Sequence, residues 1–365
     1  MTEPRRLASY NWIEADTPTI VVPGLPPLWR TANAPRQVKQ DSGLVYTAQN
    51  AARHPKSPLE PLFQALYIEN PSFDISSVDV ISDRSNIYKL LSFVNPRWAA
   101  RGVLKDFSMR MEFVGGTAIL HREDTETQEL IGPDDFRGYG HEFKRAHTRN
   151  EIPLSTRHQE VVSYSLRSLR LVIRHETNGY LGTETPIWAS KQESTGGDID
   201  SLSESIPISQ PTVVGDTTTF PSTSSKLTVC QGGRSIPLKP TLDIKTRAHH
   251  KPLGLVDVAP QLWLSQTPNL VRGYHDRGVF KKLMLQDVSA TVKWWERKNQ
   301  DKLGRLLALL ISLIAEGKPH GHVSIRYSAS KDRLSVYRCA GFKSFPDDLY
   351  QKWKKNGKFW KSDQA

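Results

Sequence analysis

At 365 residues with a formal charge of +11, the chain can bury one elaborate domain or two small ones, and its charge favours an anionic partner, nucleic acid ahead of membrane. No apolar run approaches the roughly 20 residues that a spanning helix needs. Two cysteines, Cys230 and Cys339, are too few for a disulfide scaffold or a cysteine zinc site and suit a reducing compartment.

Residues 1 to about 60 carry Pro23, Pro26, Pro27, Pro35, Pro55 and Pro58, which break any periodic pattern and predict an irregular N-terminal arm. Its first residues lead into no apolar stretch, so no secretory signal is read and a nuclear or cytoplasmic protein is expected. A short helix is predicted from Pro61 to Glu69. A stronger one is predicted over Asp79 to Asn95, with Ile87, Leu90, Leu91 and Val94 at helical spacing and Asp83 as cap. Phe107 to Phe113 alternates and turns at Gly115-Gly116 into Thr117 to His121, a hairpin. Pro133-Asp134-Asp135 can start a helix that brings Glu142 onto or near its buried face.

Val161 to Leu166 and Leu169 to His175 read as strands broken at Arg167-Ser168. If the extended geometry continues past His175, Glu176 and Asn178 point to the same face. Residues 183 to 239, rich in Ser, Thr, Gly, Pro and Gln, predict a disordered insertion. Leu242, Ile244 and Thr246 then form a short strand whose opposite face holds Asp243 and Lys245. A helix with Trp263, strands at Leu270 to Tyr274 and Val279 to Leu285, one long helix from Val288 to Ala315 and a closing hairpin follow. The tail 346 to 365 interleaves Trp353, Phe359 and Trp360 with lysines, a pattern that can stack on and neutralise single-stranded RNA. It is more often a helix with a lysine face or a nuclear import patch.

Glu142 on a helix, Glu176 with Asn178 at a strand end, and Asp243-Ile244-Lys245 on a strand together suggest a metal nuclease. Phosphodiester hydrolysis needs a divalent ion to make hydroxide, oxygen ligands to hold it and a cation beside the phosphate. The chain from about Asp83 to about Tyr337 resembles the decapping exoribonuclease (DXO) family, whose core is similar to the PD-(D/E)XK nuclease fold. Arg84-Ser85-Asn86 through Lys89-Leu90-Leu91 is similar to the family's early helix start, with Ser85 in place of the usual Gly. Gly138-Tyr139-Gly140-His141-Glu142 resembles its Gly-Tyr-x-x-Glu and Glu176-Thr177-Asn178 its Glu-x-Asp. Asp243-Ile244-Lys245-Thr246 resembles Glu-Leu-Lys-Thr, and Trp263-Leu264-Ser265-Gln266 its Trp-x-x-Gln.

The resemblance implies an α+β fold with a mixed central sheet flanked by helices, and the domain is expected to span residues 61 to 345. It implies Glu142, Glu176 and Asp243 as Mg²⁺ or Mn²⁺ ligands with Asn178 at the fourth position, and Lys245 beside the reacting phosphate. Arg84 and Gln266 would touch the RNA backbone. The implied partner is the 5′ end of RNA, with a 5′–3′ exoribonuclease as a further candidate and no membrane. The departures weigh against it: Asn178 lacks the charge of the family's aspartate, and Asp243 is one methylene shorter than glutamate. Two readings of one fold stay open, an altered metal-dependent ribonuclease and a decayed relative that binds RNA or a partner. Without the family, Glu142 would more often be capping or salt-bridged, and Asp243 with Lys245 an ordinary same-face pair.

Overall fold

The structure, a computed structural model, describes residues 1–30, 36–99, 102–124, 126–183 and 225–354. Among these residues the strands form two large sheets and a small ribbon, with helices on both faces of the larger sheet. The fold is therefore α+β with mixed sheets, as expected. The ten-stranded sheet has at its centre the hairpin Ser155–Leu166 and Leu169–Thr177, which turns at Arg167 and Ser168 with Arg167 in the left-handed region (φ 52°).

Alternation in Leu169–Thr177 does not separate core from solvent. Leu171 and Ile173 join the apolar cluster formed with Leu90, Trp263, Trp295 and Leu306 on one face, whereas Val172 joins Trp12, Phe63, Ile119 and Trp353 on the other. A strand covered on both faces buries whatever stands at its polar positions, so Arg174 is only 1% exposed. Its guanidinium donates to both carboxylate oxygens of Asp83 (2.6 and 3.0 Å), to the Tyr10 hydroxyl (3.1 Å) and to the Pro58 carbonyl (2.7 Å). Asp83 is thus engaged with Arg174 rather than capping a helix by its side chain. The helix expected over 79 to 95 is a strand, Val80–Asp83, followed by the helix Arg84–Val94.

The irregular arm is corrected as well. Thr2–Ile13 is a twelve-residue strand inside the large sheet, paired antiparallel with Ser155–Leu166 and with Thr19–Val22. Apart from Pro4 the prolines lie beyond this strand, and its buried Asn11 is satisfied by its neighbours in the fold. Asn11 Nδ2 donates to the Leu25 carbonyl (2.9 Å) and the Ser155 hydroxyl (2.7 Å). Most of the predicted insertion, 184–224, lies outside the described residues. Its last part is ordered, because Thr228–Gln231 adds a parallel strand beside Thr19–Val22.

The long helix is two, Ser289–Lys298 and Gln300–Gly317, separated at Asn299 (φ −116°, ψ 22°). The helix expected from Pro133 begins only at Gly140 and runs to His147. In the tail, Asp347–Lys354 is a helix whose Trp353 ring stacks on Phe345 in the core, while Phe359 and Trp360 fall outside the described residues.

The smaller sheet, of seven strands, contains Gly179–Tyr180, Thr241–Ala248, Asn269–Asp276 and Val279–Asp287 around Phe143, Trp29, Leu242 and Phe280. The chain passes from the large sheet to this one through a single residue, Asn178.

A candidate functional site where the two sheets meet

Asn178 joins the sheets by side chain as well as backbone. Its Oδ1 accepts from the backbone N–H of Ile244 (3.0 Å) in the second sheet, and its Nδ2 donates to Glu176 Oε1 (3.2 Å) at the end of the first. Asn178 thereby bridges Glu176 to the strand that carries Asp243 and Lys245. Glu142 arrives on the helix Gly140–His147, and Glu142, Glu176 and Asn178 line one cleft of about 450 Å³. That helix is held at its N-terminus by Asp41, whose carboxylate accepts from the N–H groups of Gly140, His141 and Glu142 (each 2.9 Å).

Every carboxylate of the expected set faces a cation. Glu142 Oε1 accepts from Arg145 (2.6 Å). Glu176 Oε2 accepts from Arg157 (2.9 Å), and its Oε1 lies 3.6 Å from Lys144 Nζ. Asp243 Oδ2 lies 2.9 Å from Lys245 Nζ, while Asp243 Oδ1 accepts from the N–H of Ile244 (2.8 Å). Burial alone would raise the Glu176 carboxyl, but Lys144, Arg157, Arg84 and His141 outweigh it and bring it down to about 2. Asp243 is likewise lowered against the effect of burial, by Lys245 and Arg84. His175, buried beside Arg84, is held neutral down to about 3.

A second cavity, of about 180 Å³, adjoins the first and shares Arg157 and Glu176 with it. Its charged lining is Arg84, Arg122, Arg157 and Arg174 against Asp83 and Glu176, four cations to two acids. Arg84, expected to touch RNA, has no ion pair among the described residues and lines this cavity. Gln266, expected to do the same, ends the helix Leu255–Ser265, its amide donates to the Trp263 carbonyl, and it lines neither cavity.

This donor set does not fit a divalent ion. Among the described residues no three His, Cys, Asp or Glu side chains are gathered to hold a metal. The amide N–H of Asn178, directed at Glu176, occupies ground that a hard cation would need. Sequence reasoning missed Arg157, Lys144 and Asp41. Arg157 had a signal, since counting the hairpin outward from Leu166 and Leu169 sets Gln159 opposite Glu176 and Arg157 on its diagonal. Asp41 had none, lying about 100 residues from the helix it caps.

A family model described as "Domain of unknown function (DUF8563)" matches residues 4–353. The chain belongs to this family. No curated protein matches the DUF8563 chain in sequence. Among solved structures it is similar to Candida albicans Rai1 in complex with pU5 and Mn²⁺, with a TM-score of 0.60 and 11% identity over 97% of this chain and 96% of that one. S. pombe Rai1 gives 0.54 and 11% over 93% and 94%, and K. lactis Dxo1 in complex with manganese gives 0.52 and 10% over 93% and 90%. At such identities the likeness is one of fold.

Proposed function

We propose that this chain binds the 5′ end of RNA at the junction of its two sheets, as a relative of the decapping nucleases in which metal-dependent hydrolysis is lost. One observation carries the reading. Each acid that the resemblance would gather around a divalent ion faces a cation instead, and in the adjoining cavity four arginines line the wall against two acids. Guanidinium groups suit phosphate by charge and by paired N–H geometry. The RNA-bound C. albicans Rai1 supplies the precedent for this fold with an oligonucleotide. The net charge of +11 would speed encounter with such a ligand.

A second reading keeps hydrolysis. Asp243 Oδ2 is held only by its ion pair with Lys245 Nζ (2.9 Å), an oxygen that could still take a metal, and manganese is present in the K. lactis Dxo1 complex. In that reading Glu142, Glu176, Asn178 and Asp243 ligate Mg²⁺ or Mn²⁺, and Lys245 stands beside the phosphate. The two separate in one assay, with 5′-triphosphate, unmethylated-cap and NAD-capped RNA incubated with Mn²⁺ and the chain or its Lys245→Ala variant. Binding without turnover is expected. Turnover that disappears in Lys245→Ala would replace the first reading by the second.

Location in the nucleus or cytoplasm, where such RNA is found, is part of the proposal. No helix among the described residues is long and apolar enough to cross a membrane. A 5′–3′ exoribonuclease partner is proposed on the same footing, with co-elution as its test.

A further inference from the structure

We infer that Arg157, supported by Lys144 and Arg84, takes the place of a divalent ion in this site, so that a terminal phosphate is held directly by protein cations. The inference rests on the RNA-binding reading and names how the site works.

Arg157 is fixed from two sides. One nitrogen donates to Glu176 Oε2 (2.9 Å) and another to the Tyr46 carbonyl (2.6 Å), which locks the guanidinium where the two cavities meet. The carboxylate it holds already has Lys144 at 3.6 Å and the Asn178 amide at 3.2 Å. Two cations and one amide donor around a single carboxylate leave it no charge with which to attract a hard metal ion. The same arrangement leaves positive charge in excess. Glu176 balances only one of Arg157 and Lys144, while Arg84, free of any ion pair among the described residues, lines the cavity of about 180 Å³ that Arg157 also lines.

The ligand this chemistry selects is a dianion with several acceptor oxygens. A 5′-terminal monophosphate carries that charge, whereas an internal phosphodiester carries a single one. Arg157 can present its remaining N–H edge to such a group and Arg84 its whole fork, a geometry that a spherical ion does not impose. The pairing with Glu176 also tempers Arg157. An unpaired cluster of three cations would bind any polyanion, whereas a partly neutralised one favours the ligand that brings the most charge to one point.

The test uses the full chain and two readouts. Affinity for a fluorescent 5′-monophosphorylated oligoribonucleotide is measured in EDTA and in Mn²⁺, beside the 5′-hydroxyl form, and Mn²⁺ binding is read from loss of the free-ion electron paramagnetic resonance signal. The expected result is equal affinity in both buffers, weaker binding of the 5′-hydroxyl form and no Mn²⁺ taken up. Arg157→Gln should weaken phosphate-dependent binding by at least about tenfold in EDTA. Arg157→Lys, which keeps the charge but loses the fork, should fall between, with folding of both variants checked by circular dichroism. RNA binding that requires Mn²⁺, or a stoichiometric Mn²⁺ site on the wild type, overturns the inference while leaving RNA binding intact. No RNA binding in either buffer would remove the functional reading, and the Mn²⁺ titration would still judge whether Arg157 excludes the metal.

Discussion

Replacing Asn178 by aspartate changes one atom and reverses the electrostatics of the junction. In the present chain the amide donates to Glu176 Oε1 at 3.2 Å. In Asn178→Asp a carboxylate oxygen faces that carboxylate at the same distance. Two like charges 3.2 Å apart repel by about 5 kcal/mol at an effective dielectric constant of ~20. Arg157 and Lys144, already within 2.9 and 3.6 Å of Glu176, would turn partly to the new charge and offset more than half of that. Loss of the hydrogen bond adds roughly 1 kcal/mol. The Oδ1 bond to Ile244 is unaffected. A net destabilisation of about 2–3 kcal/mol is therefore expected in EDTA, read from the urea midpoint. The acid pair so created can take a divalent ion, and Mn²⁺ at about 100 times its dissociation constant would return roughly 2.7 kcal/mol. A variant as stable as the wild type in EDTA and indifferent to Mn²⁺ would refute the argument, because the amide would then not be what holds Glu176.

Three more outcomes follow from the same geometry. Glu176 titrates near 2 when folded against an ordinary 4.5, so its contribution, about 3 kcal/mol, is complete above the unfolded value and lost as pH falls toward the folded one. Roughly 2 kcal/mol should be gone by about pH 3, and urea midpoints for Glu176→Gln should fall less steeply with acid. Asp41→Ala removes the acceptor for three N–H groups and should cost about 1–2 kcal/mol, with faster amide exchange confined to the helix Gly140–His147. Uniform exchange across the chain would contradict that. Trp353→Ala removes a ring stacked on Phe345 and an Nε1 donor to Thr117 Oγ1 (2.9 Å), at a cost of about 3–5 kcal/mol. A loss under about 1 kcal/mol would mean that the C-terminal helix is not part of the core.

What could be read in advance was the local pattern. The hairpin at Gly115-Gly116, the strands on either side of Arg167-Ser168 and the short polar motifs at Glu176 and Asp243 all follow from alternation and turn residues within about ten positions. What could not be read depends on distant partners. Leu7 to Trp12 is buried on both faces, so it shows no alternation, and the neighbouring prolines dominated its reading. The acids of the candidate site were legible as residue types, but not every cation that neutralises them was. Arg157 follows from the register of the hairpin that turns at Arg167 and Ser168, but Lys144 lies on a helix outside that hairpin, and only tertiary packing sets it against Glu176. Gln266 shows the converse, a motif position whose side chain is turned to its own helix end.

The strand Thr2–Ile13 also bears on how the chain is made. Its main partner spans Ser155 to Leu166, so Tyr10 waits for Gln159 and Trp12 for Arg157. At translation rates of about 5–20 residues per second, the wait is roughly ten to thirty seconds. During that time a segment with Leu7, Tyr10 and Trp12, destined to be covered on both faces, has Thr19–Val22 beside it but lacks the strand for its other edge. Folding of the large sheet must close a loop of some 150 residues before its central hairpin gains this neighbour, which makes the step slow.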